Sequence, residues 1–405
     1  MKKLVIIVLV VALLIGALVV YFVVTTPKTS AGVHFPLSAE QRALLANVPA
    51  SADAFALIPT AAALDAKLHA NAITRDAIEK WAANQQLPKP WMIGNADLVV
   101  WHSGKRTRYL LRLDPVRAVI VRLYLMISGD DALVLGPTGE PTINSADLDR
   151  ILQLTNTLPP GDILAVQQKG GRGVFPPIGR PAVTSAVVTA TEINLTSRAV
   201  AEETPMAITA GATRGYPKSA LLTAHFAQAP KALDDLNRLV RSRITTLLKE
   251  GGAIALYEIE TDKLLPRPKE VIILPATDEK RAVLEKFIQD VAPTQALGFR
   301  IETADTGQEL LVAFERSSID LYLEDAFEPP TLPGNVWTLH IDPKRTVPVL
   351  QQVAESPGLR FAAPRLFRSA KELSGWIRAL EGAQAIEAAD SVAGGVEELK
   401  VKVRG

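Results

Sequence analysis

A chain of 405 residues with 44 basic and 43 acidic side chains carries a formal charge of +1, which argues against a basic nucleic-acid surface. It contains no cysteine, so disulfides, thiol catalysis and cysteine metal sites are excluded. The composition is Ala-rich and low in aromatics, of the kind bacterial proteins have, and the chain is long enough for two or three domains.

The chain opens on Lys2 and Lys3, a basic N-terminus expected to stay in the cytoplasm as residues 1–3. Residues 4–24 follow without a charge, from Leu4 to Val24. As a helix this run spans roughly 30 Å, the thickness of a bilayer's hydrocarbon core. A cleaved secretory signal has a shorter apolar region, about 7–15 residues, and ends at a small-residue site. The one candidate site, Thr29-Ser30-Ala31, lies several residues beyond the run. The run therefore reads as an uncleaved transmembrane signal-anchor. Lys2 and Lys3 against the single Lys28 favour an exported body.

Residues 25–49 read as a tether and a short helix, in which Ser38-Ala39-Glu40-Gln41 matches a capping box. Residues 50–215 form a first α+β module with an irregular, strand-rich extension. Its predicted elements are a strand at 53–58, helical pieces at 61–69 and 74–84, and strands at 96–102 and 107–113. Asp114-Pro115 then opens a helix through Ile127, since Asp suits the N-cap and Pro the first helical position. That helix, VRAVIVRLYLMI, is apolar on most sides, and deep burial is expected of it. A short strand at 132–135, a helix at 146–156 capped by Ser145, and strands at 162–168 and 182–195 complete the module.

Residues 216–330 repeat the order as a second α+β module: a strand at 220–227, a helix at 231–249, and strands at 253–260 and 270–275. A helix at 279–291 capped by Asp278 is followed by strands at 299–303, 309–314 and 319–323. Residues 331–405 form a C-terminal α/β segment. It holds a strand at 336–341, a helix opened by Asp342-Pro343, a helix around 370–380 and two closing strands, the last read as a half-exposed edge. The order β-α-β-β-α-β in each module implies split-βαβ, ferredoxin-like units with antiparallel sheets behind a transmembrane helix.

This organisation resembles uncharacterised bacterial extracytoplasmic families that carry one N-terminal membrane anchor and repeated ferredoxin-like modules. The resemblance covers most of residues 50–405 and rests on element order. It implies fold and location, and brings no activity and no site residue with it.

Known chemical signatures are missing. The Gly-rich stretch Lys169–Gly173 lacks both the P-loop pattern and the helix that would follow it, and reads as a loop. His34, His69, His102, His225 and His340 are scattered without metal-ligand spacing. The acidic pairs Asp130-Asp131, Glu202-Glu203, Asp234-Asp235, Glu324-Asp325 and Glu397-Glu398 read as solvated surface, because neighbours on a strand point to opposite faces. Glu324, Asp325 and Glu328 form the densest acidic patch but lack the calcium-loop pattern. Trp81 and Trp91 flank a Pro-rich turn, with Trp101 near in sequence, and read as packing residues. An echo, L-x-[LI]-D-P-x-R-x-V-x-V, aligns Leu111–Val121 with Leu339–Val349 and reads as one strand-to-helix corner used twice, with Asp114 and Asp342 as caps.

No catalytic, cofactor-binding or metal residue is assigned, and no cofactor. The expected protein is a membrane-anchored, non-catalytic binding or scaffolding protein of the cell envelope. Its body lies in the periplasm or extracellular space, and its partners are the membrane through residues 4–24 and an envelope protein or apolar ligand, without nucleic acid. The rivals are an exported hydrolase whose site assembles only in the fold, and a lipid or apolar-ligand carrier.

Overall fold

The computed structural model describes residues 32–75, 96–103, 106–113, 115–128, 133–134, 141–156, 158–168, 181–201, 214–227, 247–248, 251–260, 267–295, 301–355 and 382–405. The chain divides into two compact units, one made chiefly of residues up to Val200 and the other chiefly of Ala201–Gly405.

In the first unit, helix α1 (Ala39–Leu45) starts at the expected capping box. Ser38 Oγ accepts from the Gln41 backbone N–H at 3.1 Å, and the Gln41 side chain accepts from the Ser38 N–H at 3.3 Å. Strand β1 (Ala54–Ile58) leads to helix α2 (Ala61–Ala70), then β2 (Leu98–Ser103), β3 (Arg106–Leu111), helix α3 (Pro115–Ser128) and β4 (Leu133–Val134). Helix α4 (Ser145–Gln153), β5 (Ile163–Gln167), β6 (Ala182–Val188) and β7 (Glu192–Val200) follow. Asn144, rather than Ser145, caps α4, its side chain accepting from the Ala146 N–H at 2.9 Å.

The strand order is β7-β6-β5-β1-β2-β3-β4. Period-2 alternation gives the sheet two apolar faces. Phe55, Leu57, Val99, Trp101 and Leu110 pack with Leu45 of α1 and Leu148 and Leu152 of α4. On the other face Leu98, Tyr109 and Leu111 pack with Ala61 of α2 and Val121 of α3. A half-buried ion pair fixes α2 to the sheet: Lys67 Nζ donates to the buried Asp162 at 2.6 Å, and Asp162 also accepts from the Val188 N–H at 2.8 Å.

The second unit contains the two-residue strand β8 (Tyr216–Pro217), β9 (Leu222–Phe226), β10 (Gly252–Glu260) and β11 (Arg267–Pro275). Helix α5 (Asp278–Gln295), β12 (Glu302–Asp305), β13 (Glu309–Ala313), helix α6 (Arg316–Glu324) and β14 (Phe327–Glu328) follow. The unit ends with β15 (Trp337–Ile341), helix α7 (Pro343–Glu355), β16 (Ala385–Ala393) and β17 (Val396–Arg404). Its sheet runs β12-β13-β11-β10-β9-β15-β16-β17, and every recorded pairing in it is antiparallel. Strands β8 and β14 form a separate small ribbon.

This topology overturns the expected ferredoxin-like modules, although the α+β composition holds. In a split-βαβ unit the two strands joined by the helix run parallel with another strand inserted between them, whereas β1 and β2, on either side of α2, are adjacent and antiparallel. Likewise β9 and β10, the first two strands expected of the second module, are adjacent and antiparallel. Element order leaves strand direction open, and after α2 the chain re-enters the sheet antiparallel beside β1. Among the described residues β3-α3-β4 returns parallel to the neighbouring strand, and β12 returns parallel to β11 after α5 with β13 between them. No helix among them is long and apolar enough to cross a membrane. The run at 4–24 lies outside the described residues, as do most of the helix expected at 231–249, the one around 370–380, and Trp81 and Trp91.

Three local expectations also change. Ile319–Leu323 is helical, because its buried residues are Ser318, Ile319 and Tyr322, while Leu321 and Leu323 face outward. Arg316 and Asp320, one turn apart at 3.0 Å, fit a helix. Ile319, Leu321 and Leu323 alternate along the chain, but only Ile319 is buried. Strand β17 is no bare edge: Thr191 and Glu192, which belong to the second unit, meet it, Lys402 pairing with Glu192 at 2.9 Å and the Gly405 N–H donating to the Thr191 carbonyl at 2.7 Å. Helix α3 is only partly buried: Val121 is fully enclosed, while Val119, Leu123, Met126 and Ile127 are exposed.

Candidate functional site

Two places gather chemistry, an open groove in the first unit and a buried polar face in the second. The groove lies between α1, the end of β3 and the start of α3, with a volume of about 550 Å³. The capping box aims α1 so that Glu40, Ala43, Leu44 and Asn47 line one wall. Leu110, Leu111 and Leu113 supply an apolar floor, and Ala118 and Arg122 of α3 complete the far side.

The charged rim of the groove is loosely held. Arg112 Nη1 meets Glu40 Oε2 at 2.9 Å, with side chains 50% and 69% exposed. A pair this exposed contributes about 0–1 kcal/mol, so Arg112 can exchange Glu40 for another anion at little cost. Arg122, on the far side of the groove, is also exposed. Asp97, whose carbonyl accepts from the Arg112 N–H at 3.3 Å, has its carboxyl pKa raised by burial, an effect that Arg112 opposes and Glu40 reinforces. Chemically, the groove suits an apolar chain or side-chain row with a negative group at one end.

The polar face follows from strand register. Thr223, His340, Glu387 and Lys402 lie directly opposite one another on β9, β15, β16 and β17, and His225 lies opposite Thr338. Partners in register share a face, so these strands turn a row of polar side chains to one side. Tyr216 of β8 covers it, its ring centroid 5.2 Å from that of His225 and 5.1 Å from that of His340. Glu387 is buried and holds Arg404 and the Thr331 hydroxyl, and accepts from the Thr331 N–H at 3.1 Å.

Burial controls protonation on this face. It pushes the His225 imidazole down to about 4 and the Tyr216 phenol up to about 12. It also lowers His340, against the opposing pull of Glu387. Two neutral imidazoles beside a neutral phenol could in principle exchange protons. Tyr216 stacks on His340 and lies tilted over His225, however, and Tyr216 and His225 are only 4% and 6% exposed, so a substrate reaches them only if the β8–β14 ribbon lifts.

The other residues singled out in the sequence are dispersed. His69 Nδ1 is hydrogen-bonded to the Asp65 carbonyl at 2.8 Å and His102 Nδ1 to Thr107 at 3.2 Å. Asp325 accepts from the Ser219 N–H and hydroxyl, at 3.0 and 2.5 Å, and Glu328 pairs with Lys218 at 3.1 Å, so the acidic patch is spent on local ties. Among the described residues no group of three or more His, Asp or Glu side chains is placed to hold a metal. Trp101 is buried in the first core. Asp342 caps α7, accepting from the Arg345 N–H at 3.1 Å, whereas Asp114 lies outside the described residues.

Sequence reasoning missed three features. Glu309, buried at the start of β13, accepts from the Tyr322 hydroxyl at 3.0 Å and from the Arg214 N–H at 3.1 Å, with Arg214 Nε at 3.4 Å. Glu270 on β11 has its carboxyl raised to about 8 by burial, with Glu315 adding to the shift. The third is the His225–Tyr216–His340 stack. Its only sequence trace is the pattern Thr-x-His, at Thr223–His225 and again at Thr338–His340, each in an otherwise apolar strand. No family model, no curated protein and no solved structure matches the chain.

Proposed function

We propose that the protein is a membrane-tethered, non-catalytic binding protein of the cell envelope, with its binding surface in the first unit. Residues 4–24 anchor it in the cytoplasmic membrane, and the body lies outside. The observation that carries this reading is the open groove with a leucine floor and two exposed arginines, continuous with apolar residues exposed on α3. An exposed apolar surface of this kind marks association rather than catalysis. The shifted imidazoles and phenol of the second unit, His225, His340 and Tyr216, lie instead in a covered layer.

The reading is tested by a photo-crosslinking residue placed at Ala118, in the groove, and separately at Lys344, an exposed position on α7. The full chain is irradiated in intact membranes. A discrete adduct at Ala118, absent at Lys344 and weakened by Arg112→Glu, is expected. Equal crosslinking at the two positions, or none at either, would remove the binding surface.

A further inference from the structure

Helix α3 presents a face that a solvated surface helix does not have. Val119, Leu123, Met126 and Ile127 are 57%, 54%, 83% and 86% exposed, and their spacing of i, i+4, i+7 and i+8 puts them on one stripe. Val121 points the opposite way, into the core, so the helix is docked on its sheet with an apolar stripe left outward. Arg122 stands where the stripe meets the groove, and Arg112 lies on the groove's other wall. The surface thus passes from bare hydrocarbon to two cationic side chains.

The geometry points to α3 as an in-plane contact with the lipid bilayer: its stripe enters the headgroup boundary, and Arg112 and Arg122 meet anionic headgroups. This rests on the anchor reading above. Val33 is fixed to the first unit by paired backbone hydrogen bonds with Gly161. Only eight residues separate it from Val24, the end of the apolar run, and extended chain of that length reaches at most about 30 Å. The fixed body therefore begins close to the bilayer, and α1, which follows directly, shares the groove with α3. Exposed apolar side chains flanked by Arg on a helix are what binding in the interface plane requires. Arginines near an anionic surface strengthen such binding.

The absence of native cysteine permits a clean test. Full-length Met126→Cys, Ile127→Cys, Ser51→Cys and Lys344→Cys proteins, each carrying an environment-sensitive fluorophore, are reconstituted in phosphatidylcholine–phosphatidylglycerol vesicles. Lipids bearing a nitroxide on the acyl chain serve as quencher. The labels at 126 and 127 are expected to shift to the blue and lose about half their intensity, while those at 51 and 344 stay unquenched. Adding Arg122→Glu, or omitting the anionic lipid, reduces the quenching. Quenching at 126 and 127 no greater than at 51 and 344 overturns the contact. So does energy transfer between labels that grows with protein per vesicle in place of lipid quenching, which assigns the stripe to a second copy. Alkaline carbonate extraction of the same vesicles, after the fluorescence reading, tests the anchor separately. Retained protein with unquenched labels sinks only the α3 contact, whereas quenched labels on extractable protein sink only the anchor.

Discussion

Glu270 and His225 pull the stability of the second unit in opposite directions with pH. The folded protein keeps the Glu270 proton up to about 8, while the unfolded chain releases it near 4.5, so stability is lost as pH rises through that window. His225 titrates near 4 when folded against 6.5 when unfolded, so its neutral burial is lost as stability when pH falls from 6.5 toward 4. His340, also lowered, acts in the same sense as His225. Glu270→Gln should therefore be more stable than the parent at pH 8, by roughly 3 kcal/mol or less, and show little difference at pH 4.5. Urea unfolding at the two values checks this, and an equal effect at both would show that Glu270 is charged in the fold. Glu309→Ala leaves Arg214 and Tyr322 without their shared acceptor, and should cost about 3 kcal/mol in the same assay. None of these groups was legible as special in the sequence. A Glu or His in an apolar strand declares its burial only once register and the covering element are known.

The strand-to-helix corners are the part of the element scale that sequence patterns read well. Ser38, Pro115, Asp342 and Pro343 act through the nearest one or two turns, so their meaning survives any topology. Asp342→Ala should cost about 1 kcal/mol through the lost cap at α7, measured as a shift in the urea midpoint. Helices α3 and α6 show where pattern reading gives out. An all-apolar helix and an alternating strand are both statements about which side meets protein, and only packing decides that. Val121→Ala should cost about 2 kcal/mol, since Val121 is fully enclosed between α3 and the sheet. Met126→Ser and Ile127→Ser should stay within about 0.5 kcal/mol, because those side chains leave water for nothing in the folded body. A large loss for either serine variant would mean that another part of the chain covers the stripe.

At the scale of the molecule, the α+β class was readable from composition and element order, and the topology was not. Ferredoxin-like units and neighbour-paired antiparallel sheets can share the same succession of strands and helices, and only long-range pairing separates them. The pairing of β9 with β15 and of β1 with β5 joins strands far apart in sequence, with no local residue to announce it. The same limit hid the groove, which α1, β3 and α3 create only by meeting. The proposed function nevertheless depends on the first stretch of sequence, because a tether at residues 4–24 would give the arginines of the groove and the bare stripe of α3 a surface to meet. The most direct measurement uses the Ser51→Cys protein expressed in cells and treated with a membrane-impermeant maleimide, then extracted with alkaline carbonate. Labelling in intact cells, with the labelled chain retained in the membrane pellet, is predicted. Labelling only after lysis, or release of the chain by carbonate, would contradict a body tethered outside the membrane.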